Sequence, residues 1–581
     1  MFTTLFILLQ ATLLTGTPIG STPSVDYTTG QASTTVNTYA NAFDGDLNTC
    51  FASFERSYTW CGLDLGTPHI ITRVAWSPRN DGLGPNRVVL GVFEGANRAD
   101  FEDALPLYVI TSTGTIGRID SADVTVSRGF RYVRYVGPHD ARCNIAELRF
   151  YGYAGEGDDS QLTLPAGIPY VSIHTSDGRI PEDKVNDIPC HTAVVWNGDL
   201  VYDTATVRLR GNASIQFPKK PFRIKFDKKK SVIGSPAKAK KWCLLNNYGD
   251  KTLMRNMVAM EYSRRLGMPY TPWMTPVEVY LNGEYQGCYQ LADQLEIDKN
   301  KINITKLDST EVTGGYHLEM DGYADQEPYH GWFLSNHYAG ITIKEPDAED
   351  ITDAQYNYIR DYYNQMENAV FNVGNWRGML DESTFLKHFL IGEYTGNTDT
   401  YWSMHMYKDR GNDTIFCGPE WDFDIAFDND FRHYPTCNQS DFLYLSAGTN
   451  RDFVSRIVKQ DGLGRENAKL IWSHARLCNG LTPDTICAYI DNVADSIGEA
   501  ARRNFLRWPI LNQNVHMNPR NAGSYQGEVN WLKTYIRNRT IWMDTHVGLD
   551  QQVLAVPPTT AAPMATKILR TGQLVIVRGD K

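Results

Sequence analysis

The sequence predicts a multidomain protein: an all-β sandwich, followed by a larger α+β unit with a β-rich part and a helical part. Three observations carry this. At 581 residues the chain is long enough for about three to four units of ordinary size. From Tyr27 to Gly152, short alternating runs such as "VVLGVFEG", "DVTVSR" and "FRYVRYVG" are separated by Gly, Pro and Asn clusters, the pattern of a β-sandwich. From Ile168 the chain offers further strands, and past Asn450 it turns mostly to helical periodicity.

An apolar content of 42% supports sizeable cores. A net charge of -11 argues against a general nucleic-acid binder. Residues 1–20 open on an apolar, uncharged run and continue with small and polar residues, the shape of a secretory signal without a basic start. No later stretch has the length of a membrane span. Ten cysteines suit an oxidising compartment, with Cys417/Cys437 and Cys478/Cys487 as locally spaced candidates for disulfides. Sequons at Asn212, Asn303, Asn412, Asn438 and Asn538 agree with a secreted glycoprotein. Localisation is therefore expected to be extracellular or at the cell surface.

Residues 21–152 form the expected sandwich. Within it "NAFDGDLNTCFAS", "YTWCGLDLGTPHIITRVAWSPRN" and "RYVRYVGPHDARCNIAELRFYG" resemble the discoidin, or coagulation factor 5/8 type C, family, in family order and over nearly the whole segment. The resemblance implies a jelly-roll-like sandwich whose tip loops bind glycans or membrane-surface groups. It also implies a structural calcium near the "FDGD" loop, with Asp44 and Asp46 as the matching acids; the alternative is that they only shape a turn. Phe54, Tyr58 and Trp60 are candidates to stack on sugar rings, with Trp60 the best fitted of the three to a core role. Residues 153–167, rich in Gly, acids and Pro, read as a linker.

The second unit is expected over 168–549. Between Lys219 and Lys241 stand ten Lys/Arg and one acid. In "KKPFRIKF" the alternation puts Arg223 and Lys225 on one face of a strand and Phe222, Ile224 and Phe226 on the other. Such a face is either a solvated edge or a cradle for phosphates, and the preceding "RGNAS" turn offers backbone N–H groups to an anion. Asp250 is placed to cap a helix that Gly267 and Pro269 end. Glu261 lies on the buried side of that helix and needs a cation: either the basic strand or its neighbours Arg264 and Arg265. Asn282-Gly283 marks a tight hairpin. The helix around "DAQYNYIRDYYNQMENAVF" turns an apolar stripe to the core.

The helix "DESTFLKHFLIGEY" leads into Asn397 and Asp399. Two short strands, "MHMY" and "TIFC", flank the turn "KDRGND", and Asp422 follows. A hairpin brings its shoulders together, so Asp399 and Asp422 are expected side by side with Asn397. Such a pair suits a metal-phosphate site or paired acid/base chemistry. The same run carries Asp424, Asp428 and Asp430, but lacks the Gly and terminal Glu of an EF-hand loop. The helical stretches past Asn450 read as scaffold. Residues 550–581 read as a Pro/Thr/Ala-rich linker and a short β-like tail.

A β-rich lobe, a Glu-bearing helix, then a helical lobe with acids at the junction is the order of parts in protein kinases, although no "HRD" or "DFG" occurs. "RLRGNAS", "KKPFRIKFDKK", "KKWCLLNNYGDKTLMRN", "VEVYLNGEYQGCYQL", "GGYHLEMD" and "EWDFDIAF" resemble the spore coat protein CotH family of atypical secretory kinases, from about Ile168 to about Val547. The resemblance implies a divergent two-lobed kinase-like fold, ATP with Mg²⁺ or Mn²⁺, and phosphate transfer to Ser or Thr of secreted or surface proteins. Under it Asp399 is the catalytic acid and Asp422 the metal ligand, with Asp424 beside it. Lys220, Arg223, Lys225 and Glu261 belong to the nucleotide-binding side, and the phosphate lysine stays open among the basic residues. One departure stands out. Where many members carry a second metal-binding Asn, this chain has Ser403, Met404 and His405; Ser403 or His405 would then complete the metal site, His405 favouring manganese. The alternatives are a catalytically inactive CotH-like adhesin or coat protein, and transfer of AMP from ATP.

Overall fold

The computed structural model describes residues 11–555 except 309, 373 and 437–440, together with the strands Thr566–Arg570 and Gln573–Val577. The sandwich is antiparallel throughout. Its long strand Trp60–Pro78 pairs with Ile145–Ala154, Gly129–Val136, Asp120–Asp123 and Thr17–Gly20. Gly129–Val136 passes the pairing on to Val92–Ala96 and then to Leu105–Val109. Alternating residues point inward, and Trp76, Phe93, Tyr135 and Phe150 pack at tilted or edge-on angles in the core. Trp60 lies against Phe101 and under the Arg134 guanidinium, a core role.

The leader expected over 1–20 overlaps this domain. Thr12–Leu13 pairs with Tyr151 and Gly152, and Thr17–Gly20 pairs with Cys61 to Asp64. The described part of that segment is therefore sandwich; residues 1–10 lie outside the described residues.

The segment 153–167 is pinned rather than loose. Ser127 Oγ donates to the Asp158 and Gln161 carbonyls, Leu162 is buried in the sandwich core, and Arg503 donates to the Pro165 carbonyl. Beyond it, seven strands close into a barrel in the order Tyr170–Thr175, Ile188–Trp196, Asp199–Leu209, Phe222–Lys230, Ala239–Leu245, Glu284–Asp293, Met274–Leu281. Phe222, Ile224 and Phe226 fill its interior with Val207, Trp242, Val277 and Leu291, while Lys225 faces water.

The Asn282-Gly283 hairpin turn docks on the sandwich. A Cβ at Gly283 (φ +83°) would lie 2.6 Å from Val136 and 2.7 Å from Glu94 Oε2, so only glycine fits. Tyr170, Val195, Tyr280 and Tyr285 join the sandwich's own hydrophobic cluster.

Below the barrel, Asp250 accepts the N–H groups of Thr252 and Arg255 and starts the helix Arg255–Leu266, which Gly267 ends at φ +74°. A five-stranded sheet follows, in the order Trp332–Leu334, Gly340–Glu345, Tyr316–Asp321, Ser403–Lys408, Ile415–Cys417. The helices Asp353–Phe371, Glu382–Thr395, Gly462–Leu477 and Tyr525–Met543 pack with it around the largest core.

Cys478 and Cys487 are both free thiols, so the disulfide expected between them is not formed. Cys478 closes the helix Gly462–Leu477, and Cys487 is buried within the next helix, Pro483–Ser496. Cys417 is also a free, buried thiol, and its expected partner Cys437 lies outside the described residues. Among the described residues no helix is long and apolar enough to cross a membrane.

Candidate active site

The helix Glu382–Thr395 stops at Gly396 in the left-handed conformation, φ +62°, and swings Asn397, Thr398 and Asp399 into a loop. The strands Ser403–Lys408 and Ile415–Cys417 then pair with Met406 opposite Cys417, the expected hairpin. Its far shoulder returns Asp422 to the same place. Asn397, almost fully buried, ties the two acids together: its Oδ1 accepts the Asp399 N–H at 3.3 Å and its Nδ2 donates to the Asp422 carbonyl at 3.1 Å. Asn256, from the helix Arg255–Leu266, takes the next N–H, that of Phe423, at 2.7 Å. Asp422 itself is held at φ +65°, a conformation that Asp tolerates better than most residues and that clusters at functional sites.

The carboxylates crowd one another. Water reaches Asp422, while the protein packed around it strips part of its hydration. That crowding raises its pKa, Arg210 opposes the rise, and Asp399 and Glu319 add to it. Asp424 is pushed well above the usual carboxylate range by burial, and then by Asp422, Asp250 and Asp399; Arg255 acts against them. Among the described residues no hydrogen bond or ion pair reaches the side chain of Asp422 or Asp424. A pair of hard oxygen donors without protein donors, next to further like charges, fits a divalent cation. Among the described residues no group of three or more His, Cys, Asp or Glu is placed to hold a metal.

Asp399 is half-exposed and meets Arg432 Nη2 at 3.2 Å; the same guanidinium holds Asp430, which also accepts from Thr398. Asp428 is spent on the Thr436 N–H. Beneath the cleft, Asp250 and Arg255 form a fully buried ion pair, and Arg255 Nε donates to the Ala426 carbonyl at 3.0 Å.

Several expected site residues lie elsewhere. Lys220 Nζ donates to the Ile215 carbonyl and lines a cavity against the sandwich. Arg223 is bound by Asp187 at 2.6 Å, and Lys225 sits on the barrel's wet face. Glu261 does not reach the basic strand: Arg264 and Arg265, on its own helix, take its carboxylate, and Arg265 also holds the Asn479 and Gly480 carbonyls. Ser403 donates its hydroxyl to Glu319, which Lys344 also pairs at 3.2 Å. His405 is buried, hydrogen-bonded to His317 at 3.1 Å, and pushed down to about 3 by burial and then by Lys344 and His388. Its Nε2 lies 3.9 Å from Glu319 Oε1. In the sandwich, Asp44 and Asp46 are turn formers: Asp44 accepts from the Asp46 N–H and Thr49, and Asp46 from Asn48.

The cations that act on the acidic cluster are Arg210, Arg255 and Arg432, none of which periodicity singled out. Arg210 stands in the "RGNAS" turn, over the Trp421 ring at 5.7 Å, and reaches the cleft only because strand Asp199–Leu209 ends there. Lys219 is also unusual. It is buried, donates to the Cys288 carbonyl and to Asn504 Oδ1, and burial pushes it down to about 7.

A family model described as CotH kinase protein matches residues 207–543. The chain belongs to the CotH kinase family. The matched CotH region begins in the barrel, near the end of the strand that delivers Arg210, and ends with the helix Tyr525–Met543. The sandwich ahead of the CotH domain is similar to solved carbohydrate-binding modules. The CBM62 module of Xyl5A from Clostridium thermocellum is 42% identical, covers 25% of this chain and 99% of its own, and has a TM-score of 0.23. The family 32 module of NanJ from C. perfringens, solved with galactose, is 15% identical, covers 23% and 93%, and has a TM-score of 0.19. A fucolectin from striped bass (Morone saxatilis) is 18% identical over 31% and 66%, with a TM-score of 0.21. No curated protein matches the chain.

Proposed function

We propose that the chain is a secreted protein kinase that transfers phosphate from ATP to Ser or Thr of secreted or surface proteins, with the sandwich holding it near glycan-bearing targets. The observation that carries this reading is the pairing of Asp399 and Asp422 across the cleft through Asn397, within a domain of the CotH kinase family. Asp399, half-exposed and steered by Arg432, is the group that would accept a hydrogen bond from an acceptor hydroxyl and orient it. Asp422 and Asp424 would hold a divalent cation, which when bound neutralises charge on the ATP phosphates. Arg210, over the Trp421 ring next to Asp422, supplies a positive charge to the same space.

The test incubates purified protein with ATP and Mg²⁺ or Mn²⁺, alone and with a general acceptor protein, and reads modified residues by mass spectrometry beside Asp422→Ala. Phosphate on Ser or Thr that disappears in the variant is the expected result. AMP adducts would keep the site and change the reaction. A specific observation favours one rival: Ser403, standing where a second metal ligand belongs, has its hydroxyl taken by Glu319. If nothing is modified and ATP causes no thermal shift, the domain is a non-catalytic scaffold.

A further inference from the structure

A cavity of about 220 Å³ opens where the sandwich meets the barrel, lined among others by Tyr58 and His139 from the sandwich, Lys220 and Gln286 from the barrel, and Arg507 and Trp508 from the helical lobe. None of its lining residues belongs to the acidic cluster, although the hairpin brings the Arg210 N–H to the Pro221 carbonyl at 3.3 Å, next to Lys220. Beneath it Glu284, buried, accepts from the Tyr58 N–H at 3.3 Å, His139 Nδ1 at 2.8 Å and Arg507 Nη2 at 3.0 Å. Three parts of the chain thus converge on one carboxylate.

The charges do not cancel. Glu284 satisfies Arg507, but Lys220 has no carboxylate within ion-pair distance among the described residues and gives only one hydrogen bond, to Ile215. Arg507 Nε is buried and has no acceptor. Lys220, only partly buried, keeps N–H donors free for a further partner, and Arg507 adds a second positive charge to the lining. Ile180, Phe222, Leu281 and the Tyr58 ring supply an apolar wall. The volume is below the roughly 300–1,000 Å³ of sites for drug-sized ligands, so the ligand is small.

We propose that this junction cavity binds a small organic anion, a carboxylate- or phosphate-bearing ligand of monosaccharide size, whose acidic group is held by Lys220 and Arg507 and whose C–H face lies on the apolar wall. It would join the sandwich to the turn that carries Arg210. The proposal stands independently of the kinase reading.

The experiment is calorimetric titration of the full chain with glucuronate, glucose 6-phosphate and glucose. The expected result is saturable binding of at least one of the two anions, with glucose at least tenfold weaker. Glucuronate alone would identify carboxylate as the group recognised, and the sugar phosphate alone would identify phosphate. Lys220→Gln should weaken binding at least tenfold, and Tyr58→Ala should weaken it too. Lys225→Gln on the outer barrel face and Arg210→Gln in the cleft should leave it unchanged. The proposal is overturned if neither anion binds, if glucose binds equally, if Lys220→Gln has no effect, or if Arg210→Gln abolishes binding as well.

Discussion

Asn397 and Asp422 are joined by a hydrogen bond from the buried side-chain amide to the main-chain carbonyl, 3.1 Å long, across 25 residues of sequence. Because the same side chain also receives the Asp399 N–H, one amide sets the spacing of two acids that belong to different loops. The site's geometry therefore rests on a residue that would touch neither nucleotide nor acceptor.

Asp399→Asn keeps the size of the side chain and removes its charge. Phosphate transfer should fall by about 10²–10⁴-fold, the usual worth of a positioned acid or base. Thermal stability should hardly move, because Asp399 and Arg432 are both near half-exposed and such pairs contribute little, about 0–1 kcal/mol. A large fall in melting temperature with unchanged transfer would contradict the assignment.

The raised pKa values of Asp422 and Asp424 fix the sign of a pH effect. The folded state holds these protons more tightly than the unfolded chain, so the crowding costs nothing at low pH. Stability falls as pH climbs from the ordinary carboxylate value of 3.8 through the raised folded values. Melting temperature measured against pH should show this loss, Mg²⁺ or Mn²⁺ should recover part of it at neutral pH, and Asp424→Asn should remove most of both effects. A cation that raises the melting temperature of Asp422→Ala/Asp424→Asn as much as that of the parent would rule the site out.

Breaking the Asp250–Arg255 pair should be far more damaging than any change on the rim. Both groups are fully buried, so Asp250→Ala strands a guanidinium and removes the acceptor of the Arg255 N–H, at a cost of about 3–5 kcal/mol. Chemical denaturation would measure it. A cost below about 1 kcal/mol would mean that solvent reaches Arg255.

Gly283→Ala tests the domain junction. The turn needs φ +83°, and a methyl group would meet Val136 and the Glu94–Arg134 ion pair. A loss of about 1–3 kcal/mol is expected, with faster proteolysis within 153–167 as the sandwich lifts. Unchanged proteolysis would show that the interface does not depend on this turn.

Much was legible from short-range pattern. The sandwich strands, the Asn282-Gly283 hairpin, the inward faces of Phe222, Ile224 and Phe226, and the hairpin that pairs Asp399 with Asp422 all follow from period and turn chemistry, which are local. Charge partners were not. Arg223 alternates onto the expected face but finds Asp187, from a neighbouring segment of the barrel, and Glu261 is neutralised within its own helix. An ion pair depends on which long side chains meet in space, and strand periodicity says only which side of a sheet they leave from.

By itself the sequence determined the order of the parts: a β-sandwich, a β-rich lobe, a helical lobe, and two acids at the shoulders of one hairpin. Each is encoded in residues near one another along the chain, through φ preferences and the alternation of apolar side chains. Only the tertiary structure decided that Arg210, Arg255 and Arg432 act on the acidic cluster, that Lys220 faces a cavity between domains, and that His405 is buried against His317. Those outcomes depend on packing between elements distant along the chain: Arg432 and Asp399 are 33 residues apart, His405 and His317 88, and Arg255 and Ala426 171. Burial and neighbouring charge then set what each group can do.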